Sequence, residues 1–225
     1  MHYSTDSTLI HPSILNCDFM SIGTELDRIA TADAAHVDVM DNHFVPNLTF
    51  GPDMVEQIVR RSSIPVDAHL MISSADTQAP VYAEAGAHSV TFHLEAAAAP
   101  IRLARELRRR SVAVGVALRP ATPVESILDF IGEFDMLLIM TVEPGFGGQS
   151  FIDSMIPKIQ RARKAISDSN LNVSIQVDGG VSRSTIEQAA EAGANVFVAG
   201  SAIYRAQDAV EEIDALRSLA AHHRH

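Results

Sequence analysis

Two histidines and two aspartates stand out because they sit inside apolar runs. In His36-Val37-Asp38-Val39-Met40-Asp41 an extended backbone sends alternate side chains to the same face. His36, Asp38 and Met40 therefore project one way, and Val37 and Val39 the other. His69-Leu70-Met71 and Leu138-Ile139-Met140 repeat the arrangement, and Gln176-Val177-Asp178-Gly179-Gly180 ends another apolar run on an aspartate. A single inward histidine is ordinarily a hydrogen-bonded core residue. Two imidazoles and two carboxylates on inward positions are costly unless something satisfies them together. His36, Asp38, His69 and Asp178 form a four-ligand set suited to one divalent cation such as Zn²⁺, Mn²⁺, Co²⁺ or Fe²⁺. Structural zinc more often uses cysteine, so a catalytic cation is the expectation.

Glycines mark a second chemistry. Gly145-Phe146-Gly147-Gly148, Gly179-Gly180 and Gly200-Ser201 each close an apolar run. Without a Cβ, the backbone N–H groups of such turns can approach and wrap an anion. Three of them at neighbouring strand ends predict a phosphate cradle made of amides. Met40, Met71 and Met140 are read equally as core filler or as an apolar, polarisable cushion beside a planar intermediate.

Positioning these groups requires a regular frame. Short Val-, Ile-, Leu- and Met-rich runs predict strands near Ile10–Asn16, His36–Asp41, Pro65–Ile72, Ser89–Glu95, Ala113–Pro120, Met136–Glu143, Ser174–Gly180 and Val196–Ser201. Between them, apolar residues at three- and four-residue spacing predict helices at Ile22–Ala30, Met54–Arg61, Ile101–Arg110, Val124–Phe134, Ile156–Ile166 and Thr185–Ala192, with Ala209–Leu219 last. The strands lack polar/apolar alternation, as expected when both faces are covered. Eight strand-then-helix units without a linker predict an α/β protein, one (β/α)8 TIM barrel over residues 1–225 with ends near 1–8 and 220–225 left loose. In that fold the chemistry lies at the C-terminal ends of the strands.

The composition agrees. The 225 residues carry 17 Lys plus Arg against 28 Asp plus Glu, a formal charge of −11, which disfavours a nucleic-acid partner. Cys17 is the only cysteine, so no intrachain disulfide forms and a reducing compartment is expected. Neither a signal peptide nor a membrane-spanning apolar stretch is evident, so a cytoplasmic location and no membrane partner are expected. The tail His222, His223, Arg224, His225 reads as an end without function.

As an ordered set, several of these segments resemble the ribulose-phosphate 3-epimerase family. They are Pro12-Ser13-Ile14-Leu15, His36 to Asp41, His43-Phe44-Val45-Pro46-Asn47, His69-Leu70-Met71, Pro144 to Gln149, Val177 to Gly180 and Ala199-Gly200-Ser201. The resemblance runs from about Ile10 to about Arg217. It implies a cytoplasmic enzyme of the pentose phosphate pathway, a homo-oligomer of undetermined subunit number, acting on a small sugar phosphate. It implies a divalent cation on His36, Asp38, His69 and Asp178, with Asp38 and Asp178 as the acid/base pair. It also implies substrate contacts from Ser13 and His69, to which the cushion reading adds Met40, Met71 and Met140, and phosphate binding by the glycine turns Gly145, Phe146, Gly147, Gly148, Gly179, Gly180, Gly200 and Ser201. Asn42 stands where the family usually has Gly, which calls for a left-handed asparagine, and Asn16-Cys17 replaces a more usual Ser-Ala. The rivals are a related epimerase of allulose 6-phosphate or another ketose phosphate and, from another class, a non-catalytic sugar-phosphate sensor. A sensor would have no need of Asp38, Asp178 and both histidines.

Overall fold

The structure is a computed structural model that describes Tyr3 and residues 7–222. Among these residues eight parallel strands alternate with helices: β1 Leu9–Pro12, β2 Ala35–Met40, β3 Val66–Met71, β4 Ser89–His93, β5 Ala113–Leu118, β6 Met136–Met140, β7 Ser174–Asp178 and β8 Val196–Ala199. The hydrogen-bonded order runs β1-β8-β7-β6-β5-β4-β3-β2. A parallel bridge between Ser13 and His36 joins the two ends of that order and closes the barrel. The bridge also brings the first strand's exit against the first histidine of the expected site.

Valines and leucines on the outer faces of the strands form one large core with the helices. Val37, Val39, Leu70 and Phe92 all lie in it, fully or almost fully buried. The helices are α1 Ile22–Arg28, α2 Pro52–Arg61, α3 Ala75–Glu84, α4 Pro100–Arg109, α5 Ile156–Asp168, α6 Ile186–Glu191, α7 Ser201–Tyr204 and α8 Ala209–Ala221. In α4, Leu103, Ala104 and Leu107 are buried while Arg105, Arg108 and Arg109 are exposed, the stripe the spacing predicts.

Four expectations change. Every strand stops one to four residues short of its expected end, because the chain there leaves the ladder to form the site's loops. After β1, for example, the Ser13 hydroxyl accepts the Leu15 N–H at 3.3 Å and starts a 3-10 turn at Ile14–Asn16. The α-helix expected at Val124–Phe134 is two 3-10 segments, Val124–Ser126 and Leu128–Glu133, the second of them kinked at Phe130, which is off helical geometry. Helix α3 was not expected: it carries Pro80 and buries small residues such as Ala75, Ala79 and Ala83, so no strong apolar stripe announces it. Within the stretch expected to be loose, Tyr3 is buried and donates its hydroxyl to Ser89 Oγ at 3.0 Å. Of the histidine-rich tail, His222 follows α8, and His223–His225 lie outside the described residues.

One buried cation braces the frame. Lys158 of α5 is 4% exposed and donates to the carbonyl of Arg119 at 2.8 Å, just beyond β5. Burial pushes its pKa down from 10.5 to about 8. The folded chain therefore sheds this proton at a lower pH than the unfolded chain does. The penalty on folding is complete below about 8 and is relieved as pH rises toward 10.5. Urea unfolding is expected to show that rise in stability, and Lys158→Met to flatten it.

Candidate active site

Strands β2 and β3 run side by side with His36 opposite Asp67, Asp38 opposite His69 and Met40 opposite Met71. The alternation in the sequence thus becomes three layers inside the barrel. On the far wall β7 places Asp178 beside Met140 of β6. One ligand atom from each of His36, Asp38, His69 and Asp178 lies within 4.8 Å of the other three. His36 Nε2 is 3.5 Å from Asp38 Oδ1 and 3.8 Å from Asp178 Oδ2. His69 Nδ1 is 3.3 Å and 3.4 Å from the same two oxygens. A tetrahedral cation with bonds of about 2.1 Å needs ligand–ligand edges of about 3.4 Å, so these four groups fit one cation. His36 Nε2 is also fully buried without a hydrogen-bond partner, which a cation would supply.

Asp67 explains why His36 stands ready. Its Oδ2 accepts from His36 Nδ1 at 2.9 Å, from His11 Nδ1 at 3.0 Å and from Gln176 Nε2 at 2.9 Å, and its Oδ1 accepts from Ser89 Oγ at 2.7 Å. Burial alone would raise the Asp67 pKa, but the His11 and His36 donors hold it well below the usual carboxylate range. An ionised carboxylate can only accept, so it keeps the proton on Nδ1 of His36 and turns the lone pair of Nε2 toward Asp38 and Asp178. Ser13 does a similar service for Asp38, donating its hydroxyl to Oδ2 at 2.6 Å and leaving Oδ1 toward the histidines.

The charges depend on each other. Burial disfavours the imidazolium of His36, yet Asp38 and Asp67 outweigh it and raise its pKa well above 6.5. His69 is likewise raised, by Asp178 and Asp38 against burial. Asp38 is lowered, because His36 and His69 overcome the desolvation that would raise it. Each histidine in the cluster is thus pulled toward its protonated form by the carboxylates beside it.

The remaining expected residues gather above this floor. Ser13, Asp38, Met40, Met71, Met140 and Asp178 line one cavity together with Gly145, Phe146, Gly147, Gly148, Gly179, Gly180, Gly200 and Ser201. His36 and His69 are wholly buried beneath it. The glycines are required for steric reasons. Gly179 and Gly180 have φ of 117° and 69°, and a Cβ would fall 2.4 Å from a Val142 methyl and 2.3 Å from the Phe151 nitrogen respectively. The glycine-lined cavity also has a cation near its rim that sequence reasoning passed over: Arg205 Nη2 would lie 3.7 Å from a Cβ on Gly148. Asn16, one of the departures noted above, projects its side chain between Gly147 and Gly200.

A family model described as the ribulose-phosphate 3 epimerase family matches residues 9–204. The ribulose-phosphate 3-epimerase of Mycobacterium tuberculosis is 49% identical over 217 residues, 96% of this chain and 95% of the relative. That of Escherichia coli is 44% identical over 215 residues, 93% and 95% of the two chains. The chain belongs to the ribulose-phosphate 3-epimerase family. Solved structures show the barrel more widely: KGPDC from Streptococcus mutans superposes with a TM-score of 0.69 at 14% identity, over 96% of this chain and 98% of that one. The 3-hexulose-6-phosphate synthase of Salmonella typhimurium does so with 0.65 at 21%, over 96% and 99%. At such identities the likeness is one of fold.

Asn42 adopts the left-handed geometry expected of it, with a φ of 58°, which asparagine tolerates. Besides Arg205, sequence reasoning missed Asp67, His11 and His93 inside the barrel. Asp67 stands two residues before His69, and His93 two after Thr91, so the alternation that selected His36 and Asp38 selects them too.

Proposed function

We propose that this epimerase interconverts D-ribulose 5-phosphate and D-xylulose 5-phosphate in the pentose phosphate pathway by inverting C3. The observation that carries the proposal is the meeting of two carboxylates and two imidazoles on the floor of a glycine-lined cavity. Deprotonation at C3, beside the C2 ketone, gives a planar 2,3-enediolate, and a proton delivered to the other face inverts the centre. Asp38 and Asp178 serve as base and acid, one for each face. His36, Asp38, His69 and Asp178 would hold one divalent cation, which would supply Lewis-acid chemistry to the reaction and offset the repulsion between the carboxylates. Met40, Met71 and Met140 cover the planar intermediate with apolar surface and keep water from protonating it. The glycine turns hold the phosphate through backbone amides. Turnover of ribulose 5-phosphate and allulose 6-phosphate, compared after metal stripping and re-addition of Zn²⁺, Mn²⁺, Co²⁺ or Fe²⁺, tests substrate and ion together. A preference for the hexulose would reassign the substrate, and no epimerisation of either would sink the reading.

The cradle makes a separate prediction. Gly200→Val would thrust its side chain at Asn16 Oδ1, where a Cβ alone would lie at 2.3 Å. The Michaelis constant should rise about ten-fold or more, the worth of a lost charge-assisted hydrogen bond or two. Arg108 and Arg109 lie on α4, and their replacement by alanine should leave it unchanged. The reverse pattern, measured by steady-state kinetics, would refute an amide cradle.

A further inference from the structure

The second histidine of the cluster presents the opposite nitrogen. His36 faces the carboxylates with Nε2, whereas His69 faces them with Nδ1, so its Nε2 points away. Behind it stands no carboxylate but another imidazole: His69 Nε2 lies 3.0 Å from His93 Nε2. His93 Nδ1 in turn lies 3.2 Å from Glu95 Oε2. All of His93 is buried.

With Glu95 ionised and His93 neutral, this geometry leaves one consistent proton order. Glu95 as a carboxylate only accepts, so His93 must donate from Nδ1. A neutral His93 then has a bare Nε2, which can only accept, and His69 must donate to it from Nε2. That leaves the Nδ1 lone pair of His69 free for a cation. Glu95 is fixed independently: its Oε1 accepts the Arg119 N–H at 2.8 Å and the Thr122 hydroxyl. The His93 ring is held on two sides, by the His69 ring at 5.1 Å and the Phe44 ring at 4.8 Å between centroids. Arg119 packs on the outer side of this group, its guanidinium carbon 4.0 Å from the Phe44 centroid.

Resting on the proposed cation site, we infer that His93 and Glu95 are a positioning pair. They set the tautomer of His69 and so its readiness as a ligand, without touching substrate. The pair is the counterpart of Asp67 behind His36, but built as an imidazole–carboxylate relay.

The test reads protons and metal affinity, not turnover. In ¹⁵N-histidine-labelled, zinc-loaded protein, long-range ¹H–¹⁵N correlations should show His93 protonated on Nδ1 and bare on Nε2. His93→Phe keeps a ring between His69 and Phe44 but removes the acceptor, and should weaken zinc binding about 10–100-fold in a chelating-dye competition. His93→Gln restores an acceptor toward His69 and a donor toward Glu95, and should recover most of that loss. A proton on His93 Nε2 in the wild type would overturn the inference, and that measurement stands even if His93→Phe fails to fold. So would wild-type zinc affinity in His93→Phe, or equal weakening in both variants, which would mean that the ring only fills space. Failure of the proposed activity is a different result. If zinc does not bind at all, the cation site is refuted, and the same spectrum on the metal-free protein still decides the proton order.

Discussion

Exhaustive chelation is expected to abolish epimerase activity, and a divalent transition metal to restore it. The reason lies in the ground state of the cluster. Asp38 favours protons on both imidazoles, joined by Asp67 at His36 and by Asp178 at His69. Those protons occupy the nitrogens that must be bare for binding, so proton and cation compete. Cation affinity should consequently fall as pH drops through the raised histidine pKa values, and stay level once both rings are neutral. Metal content by atomic absorption after dialysis across this range checks the sign. His69→Ala removes a ligand outright and should lower zinc affinity about ten-fold or more. The barrel should stay folded, because the large apolar core lies between strands and helices and does not include the cluster. Full activity in protein shown to be metal-free would end the metal hypothesis.

The sequence was legible wherever a single strand carries the pattern. His36, Asp38 and Met40 could be read as one face because an extended chain permits no other arrangement, and the barrel realises that face without change. The glycine turns were legible for a similarly local reason: few positions tolerate φ of 117° or 69°, and those positions need glycine. What stayed hidden depends on relations between strands. Asp67 looks like one more aspartate until the β2–β3 register sets it beside His36 and the barrel brings in His11 from β1 and Gln176 from β7. His93 acquires meaning only through its distance to a ring on another strand. Helix α3 escaped because burial of alanines leaves little amphipathic contrast, and Val124–Glu133 because its apolar spacing is equally compatible with two tight 3-10 turns. Strand ends failed systematically for a functional reason. At the C-terminal mouth the apolar run continues into loops that bend inward to line the cavity, so composition persists after the ladder has stopped.

Replacing either Asp38 or Asp178 with Asn is expected to cost at least about 10²–10⁴-fold in turnover, the range for a positioned acid or base. The loss can exceed this, since each carboxylate also faces the histidines of the cation site. Inversion at C3 requires a proton to leave one face and another to arrive at the opposite one. On the mechanism proposed above, Asp38 takes the proton in the ribulose 5-phosphate direction and Asp178 delivers one; in the xylulose 5-phosphate direction the roles exchange. The two carboxylates are unlike in their surroundings. Asp38 is buried and its Oδ2 accepts from Ser13 at 2.6 Å, a donor that favours the ionised form and suits a base. Asp178 is more open, its side chain 14% exposed at the cavity, where it can exchange a proton with solvent between turnovers. In D₂O, xylulose 5-phosphate made from ribulose 5-phosphate should therefore carry deuterium at C3. Each single variant, if it keeps its metal, retains one base. Asp38→Asn should lose C3 exchange from ribulose 5-phosphate yet keep it from xylulose 5-phosphate, and Asp178→Asn should do the reverse. Ser13→Ala should act in the same direction as Asp38→Asn but more weakly, because it removes a donor to the base and leaves the base itself. Nuclear magnetic resonance of the two sugars during incubation reads all three outcomes. A metal-loaded Asp variant that epimerises at nearly the wild-type rate would end the two-carboxylate mechanism, and product free of solvent deuterium would point to one shielded base serving both faces.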